Sequence, residues 1–131
     1  SELNMDDLLV NAVSNDDLNT VKKCLSSRIN PNSIFWEHDG WTLMHEAVVH
    51  DVNIMKELFE HGANINVATY KGYTPLMRAA GLGHFEVVKY LVEKGANIKT
   101  KDYKGLTAID MAKIEKKYEI ADYLEKNASK Y

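Results

Sequence analysis

Three stretches of this chain are near-copies of one another. Gly72-Tyr73-Thr74-Pro75-Leu76-Met77-Arg78-Ala79-Ala80 follows Gly40-Trp41-Thr42-Leu43-Met44-His45-Glu46-Ala47-Val48 by 32 residues and precedes Gly105-Leu106-Thr107-Ala108-Ile109-Asp110-Met111-Ala112 by 33. A second signal runs in phase. Gly62-Ala63-Asn64-Ile65-Asn66 and Gly95-Ala96-Asn97-Ile98-Lys99 are again 33 apart, with Arg28-Ile29-Asn30-Pro31-Asn32 a weaker copy at the front. A fixed period of this size means units too small to bury an apolar face alone, which share a core by stacking. It predicts one domain over 1–131, built of units at roughly 4–33, 34–67, 68–100 and 101–127, the outer two serving as caps. A length of 131 residues suits such a short array.

Each unit reads as two short antiparallel helices and a loop. In the third, Thr74 is placed to cap a helix whose first residue is Pro75, where the missing N–H costs nothing. Leu76, Ala79 and Ala80 follow on one narrow face, and the two alanines allow close approach of a neighbouring helix. Gly81 and Gly83 are expected to break that helix. Phe85, Val88, Leu91 and Val92 mark the stripe of a second one, ended at Gly95 by a left-handed turn. The stretch up to the next finger glycine extends away and returns.

This pattern resembles the ankyrin repeat family. The resemblance rests on Thr74-Pro75-Leu76, Ala79-Ala80, Gly83-His84, Val87-Val88, Leu91 and Gly95-Ala96-Asn97, and covers nearly the whole chain. It implies an all-α solenoid of helix-loop-helix units with β-hairpin-like fingers, and a non-catalytic role in binding another protein through a concave face. A narrower alternative is a dedicated inhibitor or immunity-type protein that blocks a partner enzyme. Departures are visible. Leu43 stands where proline is usual, and the second unit is one residue shorter between its helices. Arg28 occupies a left-handed glycine position at a cost of about 1 kcal/mol. The inter-helix turn of the fourth unit is Lys116-Lys117.

Stacking turns the sequence into a surface map. Two residues before the finger glycines stand His38, Tyr70 and Tyr103; one before, Asp39, Lys71 and Lys104; one after, Trp41, Tyr73 and Leu106. In the family these positions, with the exposed side of the first helix, line the binding face. The first finger is two residues longer than the next and holds Ile34-Phe35-Trp36. Tyr and Trp dominate interface energies and lose little rotamer freedom on binding. The expected partner-binding residues are therefore Trp36, His38, Asp39, Trp41, Tyr70, Lys71, Tyr73, Arg78, Leu82, Tyr103 and Lys104, with the finger aromatics forming a continuous shelf.

The remaining signals are exclusions. His45 and His50 suggest a zinc-protease helix, but they are five apart, about 140° round the helix, where metal ligation needs four. His45 instead fits a structural histidine of the family. Cys24 lies in an apolar stripe with Val21 and Leu25 and reads as a buried hydrophobe. No nucleophile elbow, phosphate loop or dinucleotide fingerprint is present, so neither an enzyme nor a cofactor is expected. Sixteen basic against nineteen acidic residues, a net charge of −3, argue against a nucleic-acid binder. No apolar run is long enough to span a membrane. A lone cysteine suits a reducing compartment. The expectation is a cytoplasmic monomer, or one delivered into a host cytoplasm, that binds protein and neither membrane nor nucleic acid.

Overall fold

The computed structural model describes residues 5–36 and 39–129, the side chain of Trp36 excepted. Its contacts divide into two compact units, the first ending at Asn64 and the second starting at Ile65.

In the first unit α1 (Met5–Ser14) and α2 (Leu18–Ser26) form one helix pair, and α3 (Leu43–Ala47) and α4 (Val52–Glu60) a second. Between the pairs, β1 (Ile34–Trp36) and β2 (Trp41–Thr42) form an antiparallel two-stranded finger, Ile34 opposite Thr42 and Trp36 opposite Trp41. α1 packs on α2 and α3, and α4 on α2 and α3. Leu9, Val13, Val21, Leu43, Met44, Ile54, Met55 and Leu58 are fully or almost fully buried. At about 1.5–3 kcal/mol for each large apolar side chain, this burial holds helices that are individually too short to persist.

The short second unit of the repeat has a structural consequence. α3 spans only five residues, and the chain turns through Val49 N–H to Glu46 O (3.4 Å) and His50 N–H to Ala47 O (3.1 Å) with no left-handed residue. The first and fourth pairs instead turn through Asp16 (φ 58°) and Lys116 (φ 59°). His45 is fully buried. Its Nδ1 accepts the Thr42 N–H at 3.2 Å, while the His45 N–H reaches Thr42 Oγ1 at 3.4 Å, a reciprocal cap of α3. This is the structural role expected of that histidine.

The second unit repeats the arrangement with α5 (Pro75–Leu82), α6 (Phe85–Glu93), α7 (Ala108–Ile114) and α8 (Tyr118–Ala128). α5 packs on α6 and α7, and α8 on α7 and α6. Thr74 caps α5 through Met77 N–H at 3.2 Å, and Pro75 opens the helix as the sequence predicts. Gly81 does not break it. The helix runs to Leu82 and is closed by Gly83 in a left-handed C-cap. A single glycine costs about 1 kcal/mol against alanine inside a helix, too little to stop one that is packed. The two later fingers are tight turns without a strand ladder. Thr69 N–H donates to Tyr73 O and Asp102 N–H to Leu106 O, both at 2.9 Å.

Both units carry the same clip between successive repeats. In the first, Asn64 N–H donates to Asn32 Oδ1 at 2.7 Å, and Asn32 Nδ2 to Gly62 O at 3.1 Å. In the second, Asn97 N–H donates to Asn66 Oδ1, again at 2.7 Å.

Candidate functional site

The second unit brings seven of the expected residues together. Tyr70, Lys71 and Tyr73 come from one finger, Tyr103 and Lys104 from the next, and Arg78 and Leu82 from α5. The fingers touch through their backbones. Tyr103 N–H donates to Lys71 O at 2.9 Å, and a Cβ added to Gly72, which sits at φ 79°, would crowd the Asp102 Cα at 3.0 Å, so glycine favours this approach. Within the later finger, Asp102 Oδ1 accepts the N–H groups of Lys104 and Leu106, each at 2.9 Å. That fixes the tip which presents Tyr103 and Lys104.

Tyr70 and Tyr103 are 70% and 63% exposed, far more than packing alone would leave such rings. The ammonium groups of Lys71 and Lys104 lie 5.5 and 5.6 Å from the centroid of the Tyr103 ring, within cation–π range. Tyr73 is different. Its ring is half-buried, its N–H donates to Thr69 Oγ1 at 3.2 Å, and burial raises its hydroxyl pKa against the opposing pull of the Arg78 charge.

Below the fingers lies a groove of about 410 Å³. Tyr73, Met77, Arg78, Gly81 and Leu82 form one wall; Leu106, Met111, Ile114 and Glu115 form the other. Leu82 and Ile114, at the far ends of α5 and α7, are 47% and 60% exposed. Of the second wall, Met111 stands at no expected position, whereas Leu106 and Ile114-Glu115 fall at positions the repeat register assigns to the binding face. The signal for them was the register itself, since Leu106 aligns with Tyr73 and Ile114-Glu115 with Gly81-Leu82. A second cavity, about 560 Å³, lies between the ends of α6 and α8 and the Gly95–Lys99 loop, away from every expected site residue.

In the first unit Asp39 and Trp41 are engaged internally. Asp39 Oδ1 accepts the Trp41 N–H at 3.1 Å. The half-buried Trp41 donates from Nε1 to Glu46 Oε1 at 3.3 Å, and its ring centroid is 5.0 Å from that of His45. The other carboxylate oxygen of Glu46 meets His50 Nε2 at 3.3 Å. Trp36 contributes its backbone to β1, while its side chain and the whole of His38 lie outside the described residues. Cys24 is buried, and burial raises its thiol pKa. Among the described residues, no group of three or more His, Cys, Asp or Glu could hold a metal ion. Nor is any described helix long and apolar enough to cross a membrane.

The sequence matches the family model of ankyrin repeats (3 copies) over residues 9–102 and again over 71–131. It is also similar to the 2-5A-dependent ribonuclease of Homo sapiens, 37% identical over 75 residues, which is 56% of this chain and 10% of that protein. The chain thus matches about a tenth of that relative's length.

Proposed function

Since the chain belongs to the ankyrin-repeat family, we propose that it is a non-catalytic module that binds another protein through the fingers and groove of its second unit. Ankyrin repeats are in general protein–protein interaction modules. The observation that carries this reading is the groove between α5 and α7, lined by Met77 and Met111 and flanked by the exposed Leu82 and Ile114. Apolar side chains at the ends of two packed helices gain nothing from water and bury readily against a partner. The walls are hydrogen-bonded and capped beforehand, so docking orders little of this protein.

The groove holds one carboxylate, Glu115, and one guanidinium, Arg78. It has no paired acid and base and no nucleophile with a base beside it, which supports a binding role over a catalytic one. The ribonuclease activity in the human relative's name stays with that protein. We place the chain in the cytoplasm, a compartment that the free, buried Cys24 suits, and read it as a monomer.

The test compares affinity capture by the wild type and by a Leu82→Asp/Ile114→Asp variant, with thermal melts of both. The expected result is one or more proteins retained by the wild type and lost from an equally stable variant. Identical capture by the two would remove the groove from the interface.

A further inference from the structure

Resting on the reading just given, we infer that the occupant of this surface is an acidic protein segment, an apolar side chain seated in the groove with Asp or Glu residues beside the finger tips. The first observation is the partition of charge. Residues 1–64 hold four basic and eleven acidic side chains, a net −7, whereas residues 65–131 hold twelve and eight, a net +4. The chain's modest overall −3 conceals a cationic second unit.

The second observation places that charge. Lys71 and Lys104 both stand against the Tyr103 ring, so their ammonium groups lie at most roughly 11 Å apart, compared with a Debye length of about 8 Å in physiological salt. Among the described residues, neither has a carboxylate within ion-pair distance. Asp102, in the same finger, directs its Oδ1 at two backbone N–H groups of its own turn. Two neighbouring cations without an acidic partner, on a rigid tip beside exposed tyrosines, suit carboxylates arriving from outside.

The third observation gives polarity. Tyr73 and Leu106 close the groove at its finger end, and Glu115 stands at the other end beside Ile114. A segment acidic throughout would meet Glu115. One with its acidic residues on the finger side and neutral residues near Ile114 meets cations at one end and apolar carbon at the other.

The experiment selects a phage-displayed library of random peptides on the purified chain. Enriched peptides are resynthesised with a fluorescent label and titrated by anisotropy. The expected consensus is an apolar or aromatic residue flanked on one side by Asp or Glu. Lys71→Glu/Lys104→Glu should weaken these peptides at least about tenfold with an unchanged melt, and raising salt from about 50 to about 300 mM should weaken them several-fold. Leu82→Asp/Ile114→Asp should abolish binding.

Peptides without acidic bias that still need Leu82 and Ile114 would overturn the acidic segment while leaving the interaction module standing. Peptides indifferent to both variants would overturn both readings, and a library yielding no binder would overturn a short-segment occupant. Single-stranded oligonucleotides that displace the peptides at physiological salt would reassign the lysines to phosphate. Self-association lost in Lys71→Glu/Lys104→Glu, measured by sedimentation, would make the occupant a second copy of this chain.

Discussion

Arg28 offers a quantitative test of how the repeat is built. It sits where the later repeats carry Gly62 and Gly95, and all three make the same helix-ending turn. The N–H of Arg28, Gly62 and Gly95 bonds back to Leu25, Phe59 and Val92 O at 3.1, 3.0 and 3.1 Å. The next N–H differs. Ala63 and Ala96 reach Leu58 and Leu91 O at 2.9 Å, whereas Ile29 reaches Cys24 O at only 3.4 Å. The backbone shows why. The glycines take φ of 103° and 97°, a region closed to a residue with a Cβ, and Arg28 stays at 65°. Replacing Arg28 with glycine removes a left-handed penalty of about 1–2 kcal/mol. The added freedom of glycine in the unfolded chain returns about 0.4–1 kcal/mol. The net expectation for Arg28→Gly is a gain of about 0.5–1 kcal/mol. With a urea m-value near 2 kcal/mol/M, the midpoint should rise by about 0.3–0.5 M. Helical circular dichroism in urea measures it, and Arg28→Ala serves as the control, since it removes the same side chain and charge but keeps the Cβ. Equal midpoints for the two variants, or a lower one for Arg28→Gly, would refute the argument that backbone strain stretches this turn.

Three further outcomes are expected. His45→Ala should destabilise by about 2–4 kcal/mol, because it opens a cavity and strands the Thr42 N–H; a smaller loss in the same urea titration would mean the site refills. Thr74→Ala should lower stability by about 1 kcal/mol through the lost α5 cap, with Thr74→Ser nearly neutral, both read from thermal melts. Asp17 caps α2, and hydrogen bonds from the Thr20 hydroxyl and N–H hold its carboxyl below the ordinary aspartate value. The unfolded chain therefore binds more protons between the two values, so this contribution is complete above about pH 4 and is lost as pH falls through the lowered value. Asp17→Asn keeps the cap without the proton, and its stability relative to wild type should rise on acidification; parallel pH profiles would contradict this.

The α5 cap and the left-handed positions at Arg28, Gly83 and Gly95 are legible because each depends on one or two adjacent residues, whereas the left-handed turns at Asp16 and Lys116 carry no glycine to mark them. Thr74 with Pro75, Gly83, and Arg28 at a glycine position are local chemistry. Among the described residues the strand ladder arises only in the first finger, where two extra residues give the chain length to pair Ile34 with Thr42 and Trp36 with Trp41; the period marks the insertion but not its hydrogen bonds. The site was harder. Trp41 and Tyr73 look like spare aromatics in a sequence, yet Trp41 rests on His45 and Glu46 and Tyr73 is half-buried over the groove. Which side of a ring faces protein is decided by how the helix after the finger turns back beneath it, as His45 and Glu46 of α3 do under Trp41. Leu106 and Ile114 became walls only because α5 and α7 lie together.

The asparagine clips use the main chain of one repeat and a side chain of the repeat before it. The incoming repeat need offer nothing but main-chain groups at the right height, a peptide N–H in both clips and the Gly62 carbonyl in the first, whatever its own side chains are. A duplicated cassette would arrive carrying its own fastener, and the repeat after it could drift in sequence without loosening the joint. Repeat number can thus change by copying, with no compensating mutation at the seam.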